Sequence, residues 1–368
     1  MKSSDGTSGA PATVRRQAWL DPRRAVLAGC ILCLAVAPLP AHAEWYSRTE
    51  VIMTTSIYVE LWDTNATHAN EAIDAVMAEM HHVDDVMSDF KPDSELSQIN
   101  EHGAEHPVVV SPELYGLIKL STHYSRITDG AFDITMESVW RLYHFRRHIH
   151  PTDTQIRALL PTIGWRQLIL DDRHHSVAFA RPGMAIGLGG IAKGYVVDRS
   201  IDILKAMGIR HALVTAGGDT RILGDRRGRP WMVAIRDPWD LSKIVTMVPI
   251  TNEAISTSGD YYRGFMQNGV LYDHILSPFT GHSAQLVRSA SVIAPTATQT
   301  DGMSKTAFVL GPAKTLAIID SMPQYDAIFI CPDGSVVYSK GLEPPPGAPP
   351  PAPAPESPLA MRGSAPSQ

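Results

Sequence analysis

Three strand-like stretches, residues 211–215, 231–235 and 244–249, follow one another with no helical spacing between them. Parallel strands need a crossover of a dozen or more residues, usually a helix, so strands in this succession pair antiparallel. That excludes a doubly wound parallel sheet and directs the chain to the α+β class. Further strand signals lie at 56–61, 290–294 and 327–331. Helical periodicity is confined to separate blocks. From Asn70 to Met87 the apolar residues Ile73, Val76, Met77, Met80, Val83 and Met87 fall on one face. Ser111-Pro112-Glu113 supplies a cap, a first-turn proline and an early acid, and opens a second helix carrying Leu117, Ile118, Tyr124 and Ile127. A third is expected from about Gly194 to Met207, stopped by Gly208, and a fourth from Thr300-Asp301 to Gly311-Pro312.

The ends of the chain read differently. Arg15, Arg16, Arg23 and Arg24 precede an apolar run at 25–38 and the small-x-small site Ala41-His42-Ala43, so residues 1–43 are expected to be an export signal. Arg23-Arg24 suggests the twin-arginine route. Leu27-Ala28-Gly29-Cys30 also spells a lipoprotein box, but no apolar run precedes it, and Cys30 is read as part of the signal. The expected address is therefore the periplasm. Export leaves Cys331 as the sole thiol, in an apolar strand, so no internal disulfide is available and the fold rests on its core. With 44% hydrophobic residues, that core can be large. Residues 45–340 are expected to form one domain. Residues 343–368, dominated by Pro, Ala and Ser, are expected to be a disordered tail. A formal net charge of -6 and the lack of a basic run argue against nucleic acid as a partner.

Chemistry concentrates in a few segments. Gly187-Leu-Gly-Gly-Ile-Ala-Lys-Gly194 runs into the third helix, where glycines and a helix N-terminus could cradle phosphate and Lys193 would add charge. The spacing is neither a dinucleotide fingerprint nor a P-loop, and a tight structural turn fits it equally well. Ala216-Gly-Gly-Asp219 is ordinary hairpin-turn chemistry carrying a carboxylate. Asp129 and Asp133 flank Phe132, and Ser256-Thr-Ser-Gly-Asp260 is rich in hydroxyls. Asp301 stands at a helix start, where the dipole favours a carboxylate that could be only a cap. His274, in Asp273-His-Ile-Leu-Ser-Pro278, is either a general base or a strand-end histidine.

In this order the segments resemble the ApbE family of flavin transferases. The resemblance spans Met53 to Gly311 and rests on Ser94-Glu-Leu-Ser-Gln-Ile-Asn100, Asp129-Gly-Ala-Phe-Asp133, Gly189-Gly-Ile-Ala-Lys-Gly-Tyr195 with Asp198, Ala216-Gly-Gly-Asp219, Thr257-Ser-Gly-Asp260, His274-Ile-Leu with Pro278 and Thr280-Gly281, and Phe308-Val-Leu-Gly311. It implies an α+β fold related to tunnelling folds, with mixed or antiparallel sheets flanked by helices and FAD between two lobes. It also implies an exported, magnesium-dependent enzyme that moves FMN from FAD to a Thr or Ser hydroxyl of a partner and releases AMP. The partners implied are periplasm-facing subunits of electron-transfer complexes, of the Rnf, sodium-pumping quinone reductase or nitrous oxide reduction regulator type. Residue by residue, the resemblance assigns flavin or FAD contacts to Met53, Phe90, Ala131, Phe132, Asp133, Gly187, Lys193 and Ile275. It assigns the metal to Gly190, Asp301, Ser304 and the position of Lys305, and the base to His274. There are departures. Gly187 replaces a usual carboxylate, Phe90 a tyrosine, Lys305 a metal-binding threonine, Ser277 an aspartate and Phe279 an arginine. An FAD pyrophosphatase and a non-catalytic periplasmic flavin carrier are the alternatives.

Overall fold

The computed structural model describes residues 43–261 and 264–342, so the expected export signal and tail lie outside the described residues. Its frame is an eight-stranded sheet whose strands lie side by side in chain order, each antiparallel to the next. They are β1 (Glu44–Ile52), β2 (Thr55–Asp63), β3 (Ala212–Ala216), β4 (Asp219–Leu223), β5 (Ala254–Gly259), β6 (Ser289–Ala294), β7 (Asp326–Ile330) and β8 (Val336–Tyr338). Successive side chains on a strand point to opposite faces, and the sequence alternates accordingly. Val59 and Leu61 of β2, Val214 of β3, Val292 of β6 and Phe329 of β7 join the main core. Leu213, Ile222, Ile255, Ile293, Ile328 and Ile330 face the other way. The two strands Trp231–Arg236 and Ile244–Ile250 are not members of this sheet. They form a separate hairpin, and its Trp231, Ile235, Val248 and Ile250 cover that second face.

Helices cover the first face. The first, α1 (Ala66–Met87), starts four residues before the periodicity indicates, because the Asn65 side chain accepts hydrogen bonds from the Thr67 and His68 N–H groups. Its buried face holds the six apolar residues the spacing selects. In α2 (Pro112–Ile127) Ser111 caps and Pro112 leads, as expected. Next, α3 (Ala192–Ala206) stops before Gly208, whose φ of 82° is left-handed. The fourth, α4 (Ala297–Ser304), differs from expectation. A capping box between Thr296 and Gln299 starts it earlier, it breaks at Lys305, and helix resumes over Thr306–Leu310. Pro312 then opens another helix, Pro312–Ile319, instead of ending one. Among the described residues no helix is long and apolar enough to cross a membrane.

Helices α3 and α4 cross at close range. A Cβ on Gly194 would lie 2.2 Å from the Ala297 carbonyl oxygen, so only glycine permits the approach. Asp198, one turn further along α3, accepts from the N–H groups of Ala297 and Thr298 at 2.8 Å each, and Arg221 of β4 holds the same carboxylate at 2.7 Å. The free amides of the α4 start are thereby satisfied by its neighbour.

Candidate functional site

The β1–β2 and β3–β4 turns and the C-terminal end of β5 lie at the same end of the strands of the main sheet. Met53, at φ 53°, lies in the first turn, half-buried against the core, and Gly217, at φ 61°, makes the second as the hairpin its composition suggests. Asp219 follows that turn, buried and paired with Ser256 of β5. Next to it α3 and α4 cross. Asp301 is fully buried and accepts from the Gly194 N–H at 3.1 Å through Oδ2. Lys193 Nζ lies 3.6 Å from that oxygen and 3.3 Å from Asp219 Oδ2, and donates to the Gly189 carbonyl at 3.0 Å. Lys305 Nζ pairs with the other oxygen, Oδ1, and donates to the Asp301 carbonyl at 3.2 Å. Two carboxylates and two ammoniums thus form one closed network.

Its charges follow from burial and proximity. Burial and the facing Asp301 push the Asp219 carboxyl above the usual range, against the pull of both lysines. Burial acts on Asp301 too, but Lys193, Lys305 and the Gly194 N–H outweigh it and hold Asp301 below the usual range. Hydroxyls complete the wall: Ser256 with Thr300 at 2.6 Å, and Ser258 with Ser304 at 2.8 Å.

From Lys193 the glycine turn leads to the aromatic side of the site. A Cβ at Gly190 would lie 3.3 Å from the Phe132 ring. Phe132 is buried in a loop braced by Asp133, whose Oδ1 accepts from the N–H and hydroxyl of Thr135 and whose Oδ2 accepts from the Trp165 N–H at 2.8 Å. The Asp133 carboxylate is thus engaged within the protein and shapes the loop that presents Ala131 and Phe132. The short helix Glu137–Trp140 follows. Trp140 donates from Nε1 to the His274 carbonyl at 3.1 Å and meets the Phe90 ring edge-on with centroids 6.5 Å apart. Phe90 is 74% exposed, so its ring is available to a ligand.

His274 follows the strand Val270–Asp273. Asp273, fully buried, accepts from the Ile275 N–H at 2.8 Å and so fixes the turn at the histidine. Burial pushes the Asp273 carboxyl up to about 7, with Asp260 adding and Arg288 opposing. Asp260, paired with Arg288, is raised by burial to about 6. Ile275 is buried in the main core.

A divalent metal does not fit Asp301 as the side chains stand. Both carboxylate oxygens are engaged by ammonium or amide donors, and the Ser304 hydroxyl is bonded to Ser258 and to the Asp301 carbonyl. Magnesium wants free oxygen ligands in near-octahedral array. Among the described residues, the three His and Glu side chains that converge closely enough to hold a metal are His102, Glu105 and His106, not these. The groups that a flavin dinucleotide would call on are nonetheless present: Phe90 is exposed, the glycine turn meets Phe132 at Gly190, and Lys193 and Lys305 supply two ammoniums at Asp301.

The ApbE family model matches residues 53–329 of this sequence. The chain belongs to the ApbE family. Among similar proteins, the FAD:protein FMN transferase of Treponema pallidum (strain Nichols) is 32% identical over 333 residues, which cover 85% of this chain and 92% of the relative. The one of Klebsiella pneumoniae (strain 342) is 29% identical, covering 80% and 92%. Of solved structures, the ApbE protein of Thermotoga maritima superposes with a TM-score of 0.76 at 30% identity, covering 81% of this chain and 98% of its own. The flavin transferase ApbE of Vibrio cholerae gives 0.73 at 28%, with the same coverage.

Within this ApbE fold, Lys193, Asp301, Ser304 and Lys305 come together, and Gly190 is joined to them through its turn. Trp140 links Phe90 to the backbone of His274, Phe132 meets Gly190, and Gly187 faces Glu137 of the helix that carries Trp140. Sequence reasoning missed Glu137 and Trp140. Both stand in Ile-Thr-Met-Glu-Ser-Val-Trp140, where one acid among apolar residues is the only local signal.

Proposed function

We propose that this chain is an FAD:protein FMN transferase acting on a Thr or Ser hydroxyl of an acceptor protein. The observation that carries the reading is Lys193, held by the Gly189 carbonyl and two buried carboxylates beside the start of α3, where its ammonium suits a pyrophosphate. The flavin half of FAD would lie towards Phe90 and Phe132, with Met53 and Ile275 bordering the site, and the pyrophosphate by Lys193 and Lys305. The acceptor hydroxyl attacks the FMN phosphorus, the bond to the AMP phosphate breaks, and AMP leaves as the new phosphoester forms. A protein hydroxyl is a weak nucleophile, so a base must take its proton, and the His274 imidazole is assigned that part. The lysines neutralise charge on the phosphoryl oxygens, the main catalytic demand of phosphoryl transfer.

Magnesium, which the resemblance implies, would have to share Asp301 with Lys305, and we assign it at most a loose supporting place. The export pattern of residues 1–43 supports a periplasmic address, and a periplasm-facing subunit of a membrane electron-transfer complex is the acceptor class proposed. The test is AMP release from FAD with and without a Thr-containing acceptor domain of that class. Release that depends on acceptor supports transfer. Release of AMP and free FMN without acceptor identifies a pyrophosphatase, and no release identifies a flavin carrier.

A further inference from the structure

Gly187 has no side chain, yet the space where one would stand is filled from another segment. A Cβ built there would lie 2.5 Å from Glu137 Oε2 and 3.1 Å from its Cδ. The two segments are fixed to each other. Gly187 donates its N–H to the Ile134 carbonyl at 2.9 Å, and the Ser138 hydroxyl accepts from the Ala185 N–H at 2.9 Å. Asn100 clamps Ile186 through both its N–H and its carbonyl, at 2.8 and 2.9 Å. The Glu137 carboxyl is thus placed by backbone geometry. No hydrogen bond or ion pair among the described residues engages it. On its own short helix, one turn on, Trp140 touches Phe90 and binds the His274 carbonyl, while the turn after Gly187 carries Gly190 against Phe132.

We propose that Glu137 reads the flavin ring in this site, its carboxyl binding the imide edge of the isoalloxazine from the space beside Gly187. The proposal rests on FAD being the ligand of this site. The imide edge presents a carbonyl acceptor beside an N–H donor. A carboxylic acid offers one O–H donor and a carbonyl acceptor, so both hydrogen bonds form at once; a carboxylate only accepts and opposes the flavin carbonyl. The charged groups that act on Glu137 are Asp89 and Arg141. Burial first, then Asp89, push its carboxyl up to about 8, and Arg141 pulls the other way. At neutral pH the acid form prevails. Flavin affinity is therefore level below about pH 8 and falls above it, by up to about tenfold per pH unit.

The experiment is titration of the full chain with FAD, FMN and ADP, the flavins followed by fluorescence and ADP by calorimetry, from pH 6 to 9.5. Glu137→Ala should weaken FAD and FMN by roughly ten- to a hundredfold and leave ADP unchanged. Glu137→Gln keeps a donor and an acceptor, so it should bind flavin near the parental level and lose the decline above pH 8. A double variant, Glu137→Ala with Gly187→Asp, returns a carboxyl to the same space from the other side. Gly187 is not among the glycines with positive φ, so its backbone accepts a side chain, and this variant should recover flavin binding. Parental FMN affinity in Glu137→Ala, or an unchanged pH profile in Glu137→Gln, overturns the proposal while the FAD reading stands. A parent that binds neither FAD nor FMN overturns both.

Discussion

At Asp301 each carboxylate oxygen has a partner, and one of those partners is the lysine four residues on, at the break that ends α4. That pairing sets an expectation for the metal. If Lys305 already supplies the positive charge, added magnesium should raise transfer only modestly and saturate only at high concentration. Lys305→Thr removes the competing ammonium, and a magnesium titration of that variant should show a tighter and stronger requirement. At His274 the expectation is kinetic: replacement by Ala should lower transfer by roughly two to four orders of magnitude while FAD affinity stays near parental. Single-turnover rates and FAD titrations of the same preparation check both halves. Lys193, Asp301 and His274 are singled out by the family resemblance and not by their spacing, which leaves each open, and the structure sets the first two 3.6 Å apart. Glu137 is not, because its meaning depends on Gly187, fifty residues later in the chain. Asp133 is legible as a loop residue but not as one whose carboxylate is already engaged, since Trp165 lies far along the sequence.

Among the elements, those with local signals are legible. The α1 and α2 faces, the α3 stop at Gly208 and several strands need only periodicity and capping chemistry. Elements fixed by tertiary partners are not. Nothing local tells that Trp231–Arg236 and Ile244–Ile250 leave the main sheet to cover its second face. The early start of α4 likewise depends on Asp198 and Gly194 of α3, which dock it from a distant part of the chain. Gly194 therefore tests the geometry of the site as well as packing. Gly194→Ala drives a methyl into the Ala297 carbonyl and towards Asp301, and overpacking of this kind costs about 1–3 kcal/mol. Urea unfolding should register that loss, and FAD affinity should fall with it because Lys193 is the preceding residue. An unchanged unfolding midpoint would mean that α3 and α4 do not cross this closely.

At the scale of the molecule, burial among the described residues keeps several carboxyls protonated far up the pH scale, Asp260 to about 6, Asp273 to about 7 and Glu137 to about 8, with Asp219 raised beside them. In the unfolded chain such groups titrate near 4, so between about pH 4 and 8 the folded state holds more protons and stability falls as pH rises. Asp301, held low, acts in the opposite sense only below that window. The thermal midpoint should thus be higher at pH 6 than at pH 8, and Asp273→Asn should flatten the slope; a midpoint that rises from 6 to 8 would contradict it. Covalent transfer itself is measured most directly by the intact mass of an acceptor domain after incubation with the protein and FAD. The acceptor should gain one FMN less one water, a gain removed by replacing the acceptor threonine and nearly lost with His274→Ala. An acceptor of unchanged mass, in a mixture where FAD has been consumed to free FMN and AMP, would contradict transfer.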